Sequence, residues 1–114
     1  YSAQIVPMIW RIPDSIIIDS VNHIEGASSS SGDTTRMHLK SYDFTSGSTS
    51  ALTNGTLLAS NADITNDGNE QAYAGSWTVS SSSVSAGKAI LCFFRSDSVS
   101  SDYSINVTIK YHLA

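Results

Sequence analysis

The feature that most constrains this chain is its last stretch, Asp102-Tyr103-Ser104-Ile105-Asn106-Val107-Thr108-Ile109-Lys110-Tyr111-His112-Leu113. Apolar side chains stand at Tyr103, Ile105, Val107, Ile109, Tyr111 and Leu113, with a polar residue at each position between them. Successive side chains of a strand point to opposite sides of its sheet, so this period of two predicts one buried and one wet face. A single apolar face cannot stand alone in water. The rest of the chain is therefore expected to supply the layer that covers it.

The upstream segments fit that demand. Ser2 to Trp10 reads as a first strand that Pro7 confines to an edge or a bend. Ile12-Pro13-Asp14 turns the chain, because Pro13 disfavours helical geometry at Ile12. Ser15 to Ile24 is too rich in β-branched residues for a comfortable helix and reads as a central strand. Its alternation is blurred at Ile16-Ile17-Ile18, as if both faces touched something. Thr34 to Phe44 resumes the alternation, with Met37 and Leu39 on one face and Arg36, His38 and Lys40 on the other. Tyr42 and Phe44 share the parity of the charged set, which predicts either a bulge or an aromatic exposed to a partner.

Beyond a Ser/Thr/Gly loop, Leu57-Leu58 marks a short apolar patch after the turn pair Asn54-Gly55. Tyr73, Trp77 and Val79 share one parity, and Val84 pins the turn region Ser80 to Gly87. Lys88 to Arg95 is nearly all apolar, the pattern of a strand buried on both faces. Gly26–Asp33, Thr45–Asn54, Asn61–Glu70 and Ser96–Asp102 read as loops, and no helix is expected. Seven or eight strands in one domain over residues 1–114 predict an all-β fold, an antiparallel β-sandwich of jelly-roll or Greek-key type. Tyr1 is not an initiator methionine, so a processed chain or part of a longer one is expected.

Composition narrows the function. Only 14% of the 114 residues are charged, while Ser and Thr supply about a quarter. Such a hydroxyl- and amide-rich surface is common in extracellular and virion β-proteins. The net charge of −4 comes with no basic cluster, against nucleic-acid binding. No apolar run reaches the length of a membrane-spanning helix, and no membrane insertion is expected. The single cysteine, Cys92, excludes an intrachain disulfide; between Leu91 and Phe93 it reads as an inert core thiol.

Chemical motifs are sparse. Asp63-Ile-Thr65-Asn-Asp67-Gly68 matches the first half of a calcium loop, but Ala74 stands where the closing acid belongs. The segment reads as a solvated turn, with a different calcium site completed by Glu70 or by distant acids left open. His23, His38 and His112 are far apart in sequence and lie on apparently polar parities, without the spacing of a metal or catalytic cluster. No Gly-x-Ser-x-Gly elbow accompanies the many serines, so no enzyme and no cofactor are expected. Trp10, Tyr42 and Tyr73 are the candidate surface contacts, for a sugar or a neighbouring subunit, whereas Trp77 reads as core. Asn54-Gly-Thr56 and Asn106-Val-Thr108 are glycosylation sequons, relevant only in a eukaryotic secretory route.

From Ser83 onward, Ser-Val-Ser-Ala-Gly-Lys-Ala-Ile-Leu-Cys-Phe-Phe-Arg-Ser-Asp, followed by Asp-Tyr-Ser-Ile-Asn-Val-Thr-Ile-Lys-Tyr, resembles the C-terminal β-sandwich domains of tailed-bacteriophage virion proteins. The resemblance covers about the last 30 residues. It consists of an Ala86-Gly87 turn, an apolar strand closing on Arg95, an acidic loop with Asp97 and Asp102, and the alternating last strand. It implies a non-enzymatic component of the virion exterior: a fibre, spike or capsid decoration. Such a domain is expected to be a homotrimer packed through sheet faces, among other virion proteins, with loops that meet a host glycan or receptor or shield the particle. The second reading is a secreted carbohydrate-binding module that uses Trp10, Tyr42 or Tyr73, with calcium at Asp63 and Asp67.

Overall fold

The structure, a computed structural model, describes residues 3–28, 32–66, 70–97 and 102–114. These residues form ten strands in two antiparallel sheets packed face to face, the β-sandwich that the alternation predicts. The strands are β1 (Ala3–Arg11), β2 (Ile16–Ser28), β3 (Thr34–Tyr42), β4 (Thr56–Ser60), β5 (Ile64–Thr65), β6 (Gln71–Ser76), β7 (Thr78–Val79), β8 (Ser83–Val84), β9 (Ala89–Ser96) and β10 (Asp102–Leu113). One sheet has the order β1-β9-β3-β4-β7, with β5 also on β3. The other has the order β10-β2-β6, with β8 also on β2. Seven or eight strands were expected from sequence; the additional ones are two-residue segments too short to show a period.

The terminal strand β10 pairs along its whole length with β2, from Asp102 opposite Ser28 to Leu113 opposite Ile16. The register holds except near the C-terminal end, where Lys110 faces Ser20 and Tyr111 faces Ile18. Asp19 is thus an extra residue on β2, a bulge that moves the core-facing set from even to odd numbers. Ile16 and Ile18 are buried before it, and Val21, His23, Glu25 and Ala27 after it. Ile16 and Ile18 therefore share the core with Val21 despite the odd interval, while Ile17 between them points outward and is half-buried. The strand also continues through Gly26, which the sequence assigned to a loop, because β10 and β6 both pair with it there.

Between the sheets, Ile12, Met37, Leu39, Leu58, Ile90 and Cys92 form the fully buried centre. Tyr103, Ile105, Val107 and Ile109 of β10 close the core from one side. On the opposite face of β9, Tyr42, Ala89, Leu91 and Phe93 make a second cluster, with Phe44 stacked on Tyr42 at 5.5 Å. The segment between β3 and β4 covers it, and the Tyr42 hydroxyl donates to the Leu52 carbonyl oxygen at 2.6 Å. That second cluster is why residues 89–94 are buried without a break, as their composition predicts. Pro7 lies where the β1–β9 register shifts between Ile5 and Ile9, on an edge strand, as a residue without an amide hydrogen requires.

The bulge supplies a test. Deleting Asp19 forces either Ile16 and Ile18 or Val21, His23 and Glu25 onto the wrong face. Loss of the cooperative urea transition is the expected outcome. Asp19→Ala keeps the backbone and loses only an exposed contact with His112, so it should cost less than about 1 kcal/mol.

Candidate functional site

The parity change at Asp19 buries two titratable side chains. His23 and Glu25 point from β2 into the sandwich, each about 1% exposed. Trp77, at the crossing between β6 and β7, donates its indole N–H to His23 Nδ1 at 2.7 Å. An indole nitrogen can only donate, so Nδ1 accepts and a neutral ring carries its hydrogen on Nε2. Nε2 faces Glu25 Oε1 at 3.4 Å. From the opposite sheet, the Thr35 hydroxyl donates to the same carboxylate, 2.9 Å from Oε1 and 3.2 Å from Oε2. The room for the imidazole exists because residue 75 is glycine: a Cβ there would lie 2.6 Å from His23 Cε1.

A narrow cleft descends to this carboxylate. Ala27, Asp33, Thr35, Ile64, Asn66, Tyr73 and Tyr103 surround it, with Glu25 at its floor. Its interior of about 10 Å³ is the size of roughly one water molecule. Tyr73 donates to Asn66 Oδ1 at 2.8 Å, which ties β6 to the segment after β5. The cleft is too small for a sugar ring.

The order of groups limits the chemistry. In a nucleophilic triad the imidazole sits between hydroxyl and carboxylate, so that it can take the hydroxyl proton. Here the carboxylate sits between hydroxyl and imidazole, and the other imidazole nitrogen is held by an indole. The sequence runs Thr35–Glu25–His23–Trp77, a relay that ties the sheets together and presents no activated nucleophile.

The three histidines do not converge. His23 is buried, contrary to the polar parity expected of it, for the reason of the bulge. His38 is stacked on Phe93 with ring centroids 4.8 Å apart on the outer face of β3. His112 is exposed, its Nδ1 2.9 Å from Asp19 Oδ1. Among the described residues no group of three His, Cys, Asp or Glu side chains is placed to hold a metal. Asp63, half of the suspected calcium loop, lies 3.8 Å from Arg36 Nε, while Asp67 and Gly68 lie outside the described residues. Cys92 is fully buried and its thiol is pushed up to about 12 by desolvation, as its apolar neighbours predict. Asp97 of the acidic loop accepts from the Thr34 backbone N–H at 2.7 Å and so fixes the end of β9 to the start of β3.

The three candidate contact aromatics are dispersed. Tyr42 is 3% exposed beneath the β3–β4 connection, so its ring is core and not surface. Its outward parity is real, but the second cluster covers it. Trp10 is half-buried against Tyr111 at 5.1 Å, beside β10. Tyr73 is on β6, at the other side of the four-stranded sheet. They form no common platform. Trp77 is core, as its parity predicts, while no motif or spacing points to its bond with His23. No family model, curated protein or solved structure matches the chain.

Two measurements check these assignments. Trp77→Phe leaves His23 Nδ1 buried without its donor and should lower unfolding stability by about 1–3 kcal/mol in urea titrations. The pKa of His38 is lowered from 6.5 to about 4, first by burial and then by Lys40, Arg95 and Arg36. Between those values the unfolded chain takes up a proton that the folded chain refuses. The His38 contribution is therefore complete above pH 6.5 and is lost as the pH falls toward 4. In His38→Gln the urea midpoint should fall less over that interval than in the parent.

Proposed function

We propose that this chain is a non-enzymatic structural domain on the exterior of a bacteriophage particle, in a fibre, spike or capsid decoration. The observation that carries the reading is the pattern from Ala86 to Tyr111. Its pieces are the lead-in turn with Gly87 at φ 85°, β9 buried on both faces, and the alternating β10. Gly87 suits that turn because side-chain-bearing residues rarely take a positive φ. The pattern therefore covers one strand of each layer.

One surface feature supports the same reading. The outer face of the four-stranded sheet carries Asn22, Ile24 and Gly26 on β2, Ala72, Ala74 and Ser76 on β6, and Ser104, Asn106 and Thr108 on β10. These nine positions are small or uncharged, and Ile24 is 59% exposed among them. This central patch, between Asp102 at one end of β10 and Lys110 and His112 at the other, carries no charge and can lie against another protein with little desolvation cost. The buried polar relay, in turn, reads as packing.

The test is composition of the particle. In virions purified from the source that encodes this chain, mass spectrometry should find its peptides at a constant ratio to the major capsid protein through repeated density banding. Peptides confined to the unbanded supernatant would overturn the reading. Glycan-array binding abolished by a chelator would favour the secreted carbohydrate-binding module instead.

A further inference from the structure

Among the described residues β10 is the longest strand at the edge of a sheet. One edge pairs with β2 over twelve residues, and among the described residues no strand pairs with its other edge. Proteins commonly blunt such an edge with lysine, proline, a bulge or inward-pointing charge. Here Lys110 is the one such device inside the strand: there is no proline or glycine between Asp102 and Leu113, and the bulge lies on β2, which leaves β10 regular. Its core-facing row is also incompletely covered. Tyr103, Ile105, Val107 and Ile109 are only half-buried, and Tyr111 and Leu113 are 45% and 65% exposed.

We infer that β10 is the contact by which two copies of this chain associate, edge to edge and antiparallel about a twofold axis at Thr108. Register selects this pairing. In an antiparallel pair, residues directly opposite share a face and their numbers have a constant sum. With Thr108 opposite its own copy, Tyr103 faces Leu113, Ile105 faces Tyr111 and Val107 faces Ile109. All six apolar residues are then paired with one another. A shift of the axis to Val107 or to Ile109 leaves Leu113 or Tyr103 without an apolar partner.

Charges agree with this register. Lys110 falls opposite Asn106 and His112 opposite Ser104, so no like charges meet. Asp102 of one copy falls diagonal to His112 of the other, within the reach of cross-strand pairs. The contact is isologous, since the same strand serves both sides, and it closes at two copies. It joins two four-stranded sheets into one and satisfies both open edges. The contact does not depend on the virion reading, because it rests on β10 alone.

The experiment uses position-specific crosslinking of the whole chain. Thr108 is exposed on the outer face, and in the dimer the two copies of this position are about 4.5–5.5 Å apart between Cα atoms, within disulfide range. Thr108→Cys should yield a covalent dimer under mild oxidation. Asn106→Cys, also exposed, places its two thiols about four residues apart along the strands, roughly 13 Å, and should not crosslink. The buried Cys92 thiol does not interfere. Thr108→Asp sets two carboxylates face to face and should raise the dimer dissociation constant about fivefold or more in light scattering. Circular dichroism would confirm that it remains folded. A monomeric parent, a trimer indifferent to Thr108→Asp, or equal crosslinking at both positions would overturn the inference. Each of those results leaves the particle-composition test standing on its own.

Discussion

The extra residue at Asp19 decides most of this structure. A strand that kept strict alternation from Ile16 could bury Ile16 and Ile18, or Val21 and Ala27, but not both sets. One inserted residue reconciles them and lets β2 follow the full length of β10. Its consequence is chemical as well as geometric: His23 and Glu25 turn inward. Once inside, each needs partners, since an unpaired buried polar group costs several kcal/mol. Trp77 and Thr35 provide them from both ends of the relay. The bulge, the relay and the glycine at position 75 therefore form one dependent set, in which altering any member leaves another without a partner or without room.

The strands that sequence made legible are those with one dominant neighbour environment. Alternation in β10, in β3 from Arg36 to Lys40, and the unbroken apolar run of β9 all translate directly into the observed burial. What escaped was anything created by a second layer. Tyr42 has outward parity and is buried all the same, because the connection back to β4 folds over it. His23 has the parity opposite to Ile18, and the step from Ile18 to Val21, an odd interval between buried residues, was the available sign of a bulge. The Trp77–His23 bond spans 54 positions, and no local pattern encodes a contact at that separation.

The geometry of the buried relay suits it to specifying the fold. A carboxylate fixed by a hydroxyl from the facing sheet and an imidazole from its own strand is satisfied in one alignment of the layers only. Sliding one sheet by a residue would break Thr35–Glu25 while leaving the hydrophobic contacts tolerably filled. Apolar packing is permissive about register; hydrogen-bond geometry is not. The core thus sets how strongly the layers hold, and the relay sets where.

A different logic governs the strand at the open side. Burying the apolar row of β10 completely would need another strand on its open edge, and among the described residues none lies there. Both end strands of this sheet, β10 and β6, have one edge without a strand among the described residues, and β10 is twice as long as β6. An unfinished edge of this length is a hazard for a solitary protein, because any extended segment can add to it. It is far less of one if a matching edge is always present at high local concentration, as it is where many copies are displayed together. The pairing of all six apolar residues in a single register makes the edge selective for its own copy, which turns a general tendency to aggregate into a closed contact.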